Sequence, residues 1–161
     1  MISEKIQELI NKQINKEFYS GYLYLSMSTV LKELGLFGFA HCTRNNARDK
    51  VEQGLQLLDY LLDCHSFVTL KQIQAPEYMF DGVANLFKRL YKHEKSITES
   101  ILEITRVLQN ECDIKTYSFM NIYLEKQQSK EKNIEYIAKK MEQLGNDNTS
   151  LTTFDNMLYS Q

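Results

Sequence analysis

Four polar residues stand where helical core stripes call for apolar ones. Glu17, Lys50, Glu94 and Gln127 each occupy such a stripe in a different segment, and Gln53 and Lys130 follow one turn after two of them. A buried charge without a partner costs several kcal/mol, so four segments that each carry such a group near mid-length share a cause. Either the four side chains satisfy one another or they hold something between them. Two glutamates on two helices are half of a dinuclear iron site, because hard iron ions take carboxylate oxygens and imidazole; the other half is Glu-x-x-His on the remaining helices. None of His41, His65 and His93 has a glutamate three residues before it, so that half is missing. From the residues alone, pairing of the glutamates with lysines is the simpler account, with Tyr24 as a satisfied core side chain, whereas Gln127 fits a core role and a ligand role equally.

The segments that must position these residues are long and helical. With 1 Pro and 6 Gly in 161 residues, the chain lacks the turn formers of a β-sandwich or barrel. Hydrophobic residues at 43% against 25% charged supply a core and exclude a disordered chain. Steps of three and four run from about Glu4 to Leu34, and a second apolar stripe there, Tyr19, Tyr22, Leu23 and Val30, is expected to meet another subunit. A second helix is predicted over 38–65 with Ala47, Lys50, Gly54, Leu57 and Leu61 in register. The third begins after Asp81 as N-cap and carries Phe87, Leu90, Glu94, Ile97, Ile101, Ile104 and Leu108. The fourth follows a break at 110–113 and runs to Leu144 before Gly145, and a short last helix covers about Leu151 to Tyr159.

Ser66 to Asp81 is the one long connection. Its extended reach of roughly 50 Å exceeds the roughly 42 Å length of a 28-residue helix, so it can run end to end and leave its flanking helices parallel. The expected fold is all-α: a four-helix bundle, residues 1–161 as one domain, with a long crossover between helices 2 and 3 and a short fifth helix.

The stretches Asn15-Lys-Glu-Phe-Tyr-Ser20 with Tyr24, Leu57-Leu-Asp-Tyr-Leu61, Tyr91-Lys-His-Glu94 with Ile97-Thr98, and Tyr123-Leu-Glu-Lys-Gln127-Gln resemble the bacterial non-haem ferritins, and the similarity runs from about Glu4 to Leu158. The resemblance implies a ferritin-like bundle that self-associates into a 24-subunit cage, stores iron and oxidises Fe(II) to Fe(III) with oxygen at a centre inside each subunit. By that resemblance Glu17, Glu94 and Gln127 stand at metal positions and Tyr24 at the site tyrosine. The bridging glutamate falls on Lys50 and its partner histidine on Gln53. Inner acids fall on Asp49, which keeps its charge, and on Lys126 and Lys130, which reverse it. The family's animal light chains likewise carry lysine at the bridging position and lack the centre.

The expected function is therefore iron binding and storage with ferroxidase activity absent or strongly impaired. Lys50 and Lys130 are expected to balance Glu17 and Glu94, taking the volume and charge of the metals. An active centre that recruits Asp49 and Glu52 beside Glu17, or a cage with a non-iron role, are the alternatives. The family's haem-ligating methionine falls on Val51, so no haem is expected. A mixed set on the second helix, Arg44, Asn45, Arg48, Asp49 and Glu52, is expected on the cavity wall. The net charge of -2 and the absence of a lysine-rich tail make nucleic acid an unlikely partner. No segment reads as a membrane span or secretory leader, and Cys42, Cys64 and Cys112 form no metal or redox motif, so a cytoplasmic protein is expected.

Overall fold

The computed structural model describes residues 1–159; Ser160 and Gln161, the end of the expected domain, lie outside the described residues. Five helices follow in order: α1 Glu4–Glu33, α2 Phe37–Asp63, α3 Gly82–Glu111, α4 Ile114–Leu144 and α5 Asn148–Tyr159. Among the described residues there is no strand, and no helix is long and apolar enough to cross a membrane.

Local chemistry sets the helix ends. The Ser3 side chain accepts the Ile6 N–H and the Asp113 side chain accepts the Thr116 N–H, each filling an orphan donor of a first turn. Asp81 stands at the N-cap of α3, yet its side chain makes no capping bond; instead its own N–H donates to Asn85 Oδ1 at 3.3 Å. The second helix closes two residues earlier than its periodicity predicts, because His65 turns left-handed (φ 53°) and the Ser66 N–H bonds back to the Leu61 carbonyl. Conversely, α5 starts three residues earlier than expected. Asp147 accepts the Thr149 and Ser150 N–H groups and the Ser150 hydroxyl, which recruits the polar Asn148–Ser150 stretch as a first turn.

The buried apolar residues form two clusters. One joins the first halves of α1 and α4 (Ile6, Ile10, Ile14; Met120, Leu124) to the second halves of α2 and α3 (Leu57, Leu61; Ile97 to Leu108). The other joins the complementary halves with Leu151 of α5. This pairing makes α1 antiparallel to α2 and α3 antiparallel to α4, while α2 and α3 run parallel, as the crossover length requires. The crossover is strapped along α1 by amide side chains and one hydroxyl. Gln7 Oε1 accepts the Phe67 N–H, Asn11 bonds both the Phe67 carbonyl and the Thr69 N–H, and Ser26 donates to the Glu77 carbonyl. Gln7, Asn11 and Asn15 recur every four residues, so one polar line on α1 satisfies an irregular backbone.

The second apolar stripe of α1 is mostly accounted for within the chain. Leu23 is buried and Tyr19 and Val30 pack on the same cluster; only Tyr22 is exposed. The α5 helix is docked by Asp155, whose Oδ1 accepts the Phe39 N–H at 2.8 Å, and by Phe154, which packs edge-on against Phe39. Asp155 thereby caps α2, whose own N-cap residue, Leu36, has no polar side chain.

Candidate functional site

Between the two apolar clusters lies one polar layer. Two glycines let α1 and α2 approach closely enough to build it. A Cβ on Gly54 would sit 2.7 Å from the Phe18 ring, and one on Gly21 would meet Val51 at 3.0 Å. Phe18 fills the notch at Gly54, which brings the neighbouring Glu17 against Lys50. The other two helices contribute Glu94 and Gln127 from the same level.

All four central side chains are essentially without solvent exposure. Lys50 Nζ lies 3.1 Å from Glu94 Oε2 and 3.5 Å from Glu17 Oε2, and donates to Gln127 Oε1 at 3.0 Å. The Gln127 amide nitrogen donates in turn to Glu94 Oε2 at 2.6 Å, and the Tyr24 hydroxyl donates to Glu94 Oε1 at 2.7 Å. Both oxygens of Glu94 are thus satisfied. Burial pushes the Glu94 carboxyl up, but the Lys50 ammonium and the bonds from Gln127 and Tyr24 outweigh it and hold its pKa below the ordinary value. Burial and the Glu94 carboxylate raise the Tyr24 phenol well above its usual value, so Tyr24 is a protonated donor here.

Glu17 is less well served. Its Oε1 accepts from Gln13 Nε2 at 2.7 Å, but Oε2 has no hydrogen bond and only the longer contact with Lys50. Burial and then the Glu17 carboxylate raise the Tyr123 phenol far above its normal range, although its hydroxyl falls short of a hydrogen bond with Glu17.

Of the sequence-predicted residues, Glu17, Tyr24, Lys50, Glu94 and Gln127 converge. Gln53, one turn along α2, turns a buried and unpartnered Oε1 inward. Lys130 does not join them. Three residues after Gln127 it is rotated off the core axis, and its ammonium bonds Asn46 at 2.6 Å and Asp49 at 3.3 Å toward solvent. The expected balance of two lysines against two glutamates is therefore corrected to one lysine against two. Lys126, Asp49 and Glu52 are exposed, and the structure does not bring Asp49 or Glu52 to Glu17. The five α2 residues expected on one wall divide: Arg44, Arg48 and Glu52, at steps of four, line a groove with Phe18, Tyr22 and Leu25 of α1, Asn45 accepts from Arg48, and Asp49 meets α4 through Lys130.

Sequence reasoning missed Gln13, Tyr123 and Ser100. Gln13 and Tyr123 lie four residues before Glu17 and Gln127, so a one-turn search around the central residues would have found them. Ser100 donates to Gln13 Oε1 at 2.5 Å and fixes that amide, so its nitrogen faces Glu17. His93 stands outside the layer, its ring tilted against that of Tyr19 and its Nε2 2.7 Å from the Ser20 hydroxyl. Burial pushes its pKa down to about 4, so it is neutral.

Among the described residues, no group of three or more His, Cys, Asp or Glu side chains is placed to hold a metal ion. Chemically, the layer is a buried charge network in which one ammonium stands between two glutamates.

Comparison with known proteins is consistent along the whole chain. The chain is 32% identical over 155 residues to a probable bacterial non-heme ferritin-like protein of Haemophilus influenzae, covering 96% of this chain and 94% of the relative. It is 31% identical to a bacterial non-heme ferritin of Campylobacter jejuni, covering 96% and 93%. Among solved structures, an open pore ferritin from Archaeoglobus fulgidus superposes with a TM-score of 0.95 at 31% identity, covering 99% of this chain and 98% of that one. A model of the ferritin-like domain matches residues 7–144. With the bundle, the crossover and these matches in agreement, the chain belongs to the ferritin family.

Proposed function

We propose that this chain is an iron-binding and storage subunit of a self-associating cage, a single ferritin-like domain assembled with 23 copies of itself, whose ferroxidase centre has been replaced by a Lys50-centred network. Its iron is cargo taken up by a slow, non-catalytic route, and neither haem nor nucleic acid is part of the function. A cytoplasmic setting fits the family and the absence of a spanning helix among the described residues.

The observation that carries this reading is the Lys50 ammonium, 3.0 to 3.5 Å from Gln127, Glu94 and Glu17. A protonated amine has no lone pair to give. At about 4 Å and an effective dielectric near 20, its repulsion of Fe(II) is about 8 kcal/mol, which offsets the attraction of one of the two carboxylates. Glu94, bonded from both sides, has no free oxygen to offer. Self-association is supported by the α1–α2 groove of about 530 Å³, where exposed Tyr22, Leu25 and Val51 lie beside Arg44, Arg48 and Glu52.

Aerobic Fe(II) oxidation tests the reading. The native protein is expected to oxidise iron at the buffer rate, whereas Lys50→Glu with Gln53→His is expected to gain a rate that saturates with protein. Lys130, outside the layer, is not needed for that gain. A saturable rate in the native protein, or Zn(II) anomalous density between Glu17 and Glu94 in a soaked crystal, would overturn it.

A further inference from the structure

A cavity of about 630 Å³ lies apart from the polar layer, where the last turns of α1, the first turns of α2 and α5 meet. Lys32 of α1 and Arg44 of α2 stand on its wall. Both are exposed, and among the described residues neither makes an ion pair. Asp155 is the one acid among the described residues that line the cavity. Its carboxylate is buried and committed to the start of α2, where it accepts the Phe39 N–H at 2.8 Å.

The hydroxyls on the wall are spent as donors. Thr29 donates to the Ser26 carbonyl and Thr152 to the Asn148 carbonyl, each within its own helix. His41, the remaining basic group on the wall, is hydrogen-bonded to Asn45. The ammonium of Lys32 and the guanidinium of Arg44 thus face one cavity with positive charge and no anion to receive it.

We propose that this cavity binds a phosphate monoester of a small organic molecule, its phosphate held by Lys32 and Arg44. Charge selects the group. Two unpaired cations match the charge of about −2 that a phosphate monoester carries near neutral pH, whereas a carboxylate would leave one of them uncompensated. The planar fork of Arg44 can take two phosphate oxygens at once, and Lys32 adds a point charge. Volume selects the organic body, since the cavity falls in the range of roughly 300–1,000 Å³ of small-molecule sites and exceeds what a bare oxyanion fills. Phe37, on the same wall and exposed, gives that body an aromatic surface.

Thermal melts of the assembled protein in adenosine monophosphate, adenosine and inorganic phosphate, at equal ionic strength, test the site. Adenosine monophosphate is expected to raise the melting temperature by about 3–6 °C per tenfold concentration above saturation, adenosine to leave it unchanged, and inorganic phosphate to act only at higher concentration. Lys32→Gln and Arg44→Lys should each weaken binding about tenfold or more, and Lys32→Gln with Arg44→Gln should abolish it. Arg44 also borders the α1–α2 groove but Lys32 does not, so Lys32→Gln reads the site whatever Arg44 does for assembly. Crystals soaked in adenosine monophosphate should show its phosphate between the two side chains. Equal shifts from adenosine and its monophosphate would overturn the phosphate, and equal shifts from the monophosphate and inorganic phosphate would overturn the organic body. A shift that survives in the double variant, or no shift and no density in the native protein, would overturn the site itself.

Discussion

Lys50 is the side chain on which the polar layer depends. It is fully buried and, among the described residues, is the one cation in contact with Glu94, Glu17 and Gln127. Removing one member of a buried ion pair leaves its partner uncompensated, so Lys50→Ala is expected to destabilise the protein by about 3–5 kcal/mol in denaturant unfolding. Lys50→Met, which keeps most of the volume, should cost nearly as much, and adding Glu94→Gln to it should recover most of the loss. A cost that vanished in Lys50→Met alone would show that packing, not charge, is what the lysine provides. His93 gives a pH signature at the same scale. Its folded pKa of about 4 lies below the ordinary 6.5, so the unfolded chain binds the proton first. The stability held by neutral His93 is complete above pH 6.5 and is lost as pH falls toward 4, by about 3 kcal/mol in all. Melts between pH 7 and 4.5 should show that slope, and His93→Phe should flatten it.

At the scale of elements, the ends and straps of the helices come from side chains distant in sequence. Asp155 on α5 supplies the cap that α2 lacks, through its bond to the Phe39 N–H. Asp155→Ala is expected to cost about 1–2 kcal/mol, the range for a lost helix cap, and to release α5 before the rest of the bundle. Amide hydrogen exchange should then quicken at Phe39 and along α5 while α3 keeps its protection. Uniform loss of protection would show that α5 is not a separable unit. The crossover has the opposite design. Its irregular backbone is held by three α1 amides, and its course fixes the parallel relation of α2 and α3.

For the whole molecule, the layer that divides the core sets one buried lysine against two buried glutamates. The surface still carries an unpartnered groove between α1 and α2. Leu25 is 42% exposed there, beside Tyr22 and Val51. Leu25→Glu is expected to lower the assembled mass by light scattering while the helical content by circular dichroism stays unchanged, because the residue is not part of either buried cluster. An assembled mass equal to that of the native protein would move the subunit contact elsewhere.

Helical periodicity, scarce Pro and Gly and the reach of one linker determined the four long helices, their order and the parallel α2–α3 pair, because these depend on spacing along the chain alone. The same spacing placed Glu17, Lys50, Glu94 and Gln127 on core stripes, since a residue's face on a helix follows from its number. Sequence placed Lys50 on its stripe but could not say where the long side chain of Lys130, one turn after Gln127, would end; only the approach of α2 to α4 sent it to Asn46 and Asp49. Nor could it assign Asp155 to the start of α2, or the Gln7, Asn11 and Asn15 line to the crossover backbone, as both join segments far apart in the chain. The count of one lysine against two glutamates in the layer belongs to this second class, since it follows only once tertiary structure has turned Lys130 away from the layer.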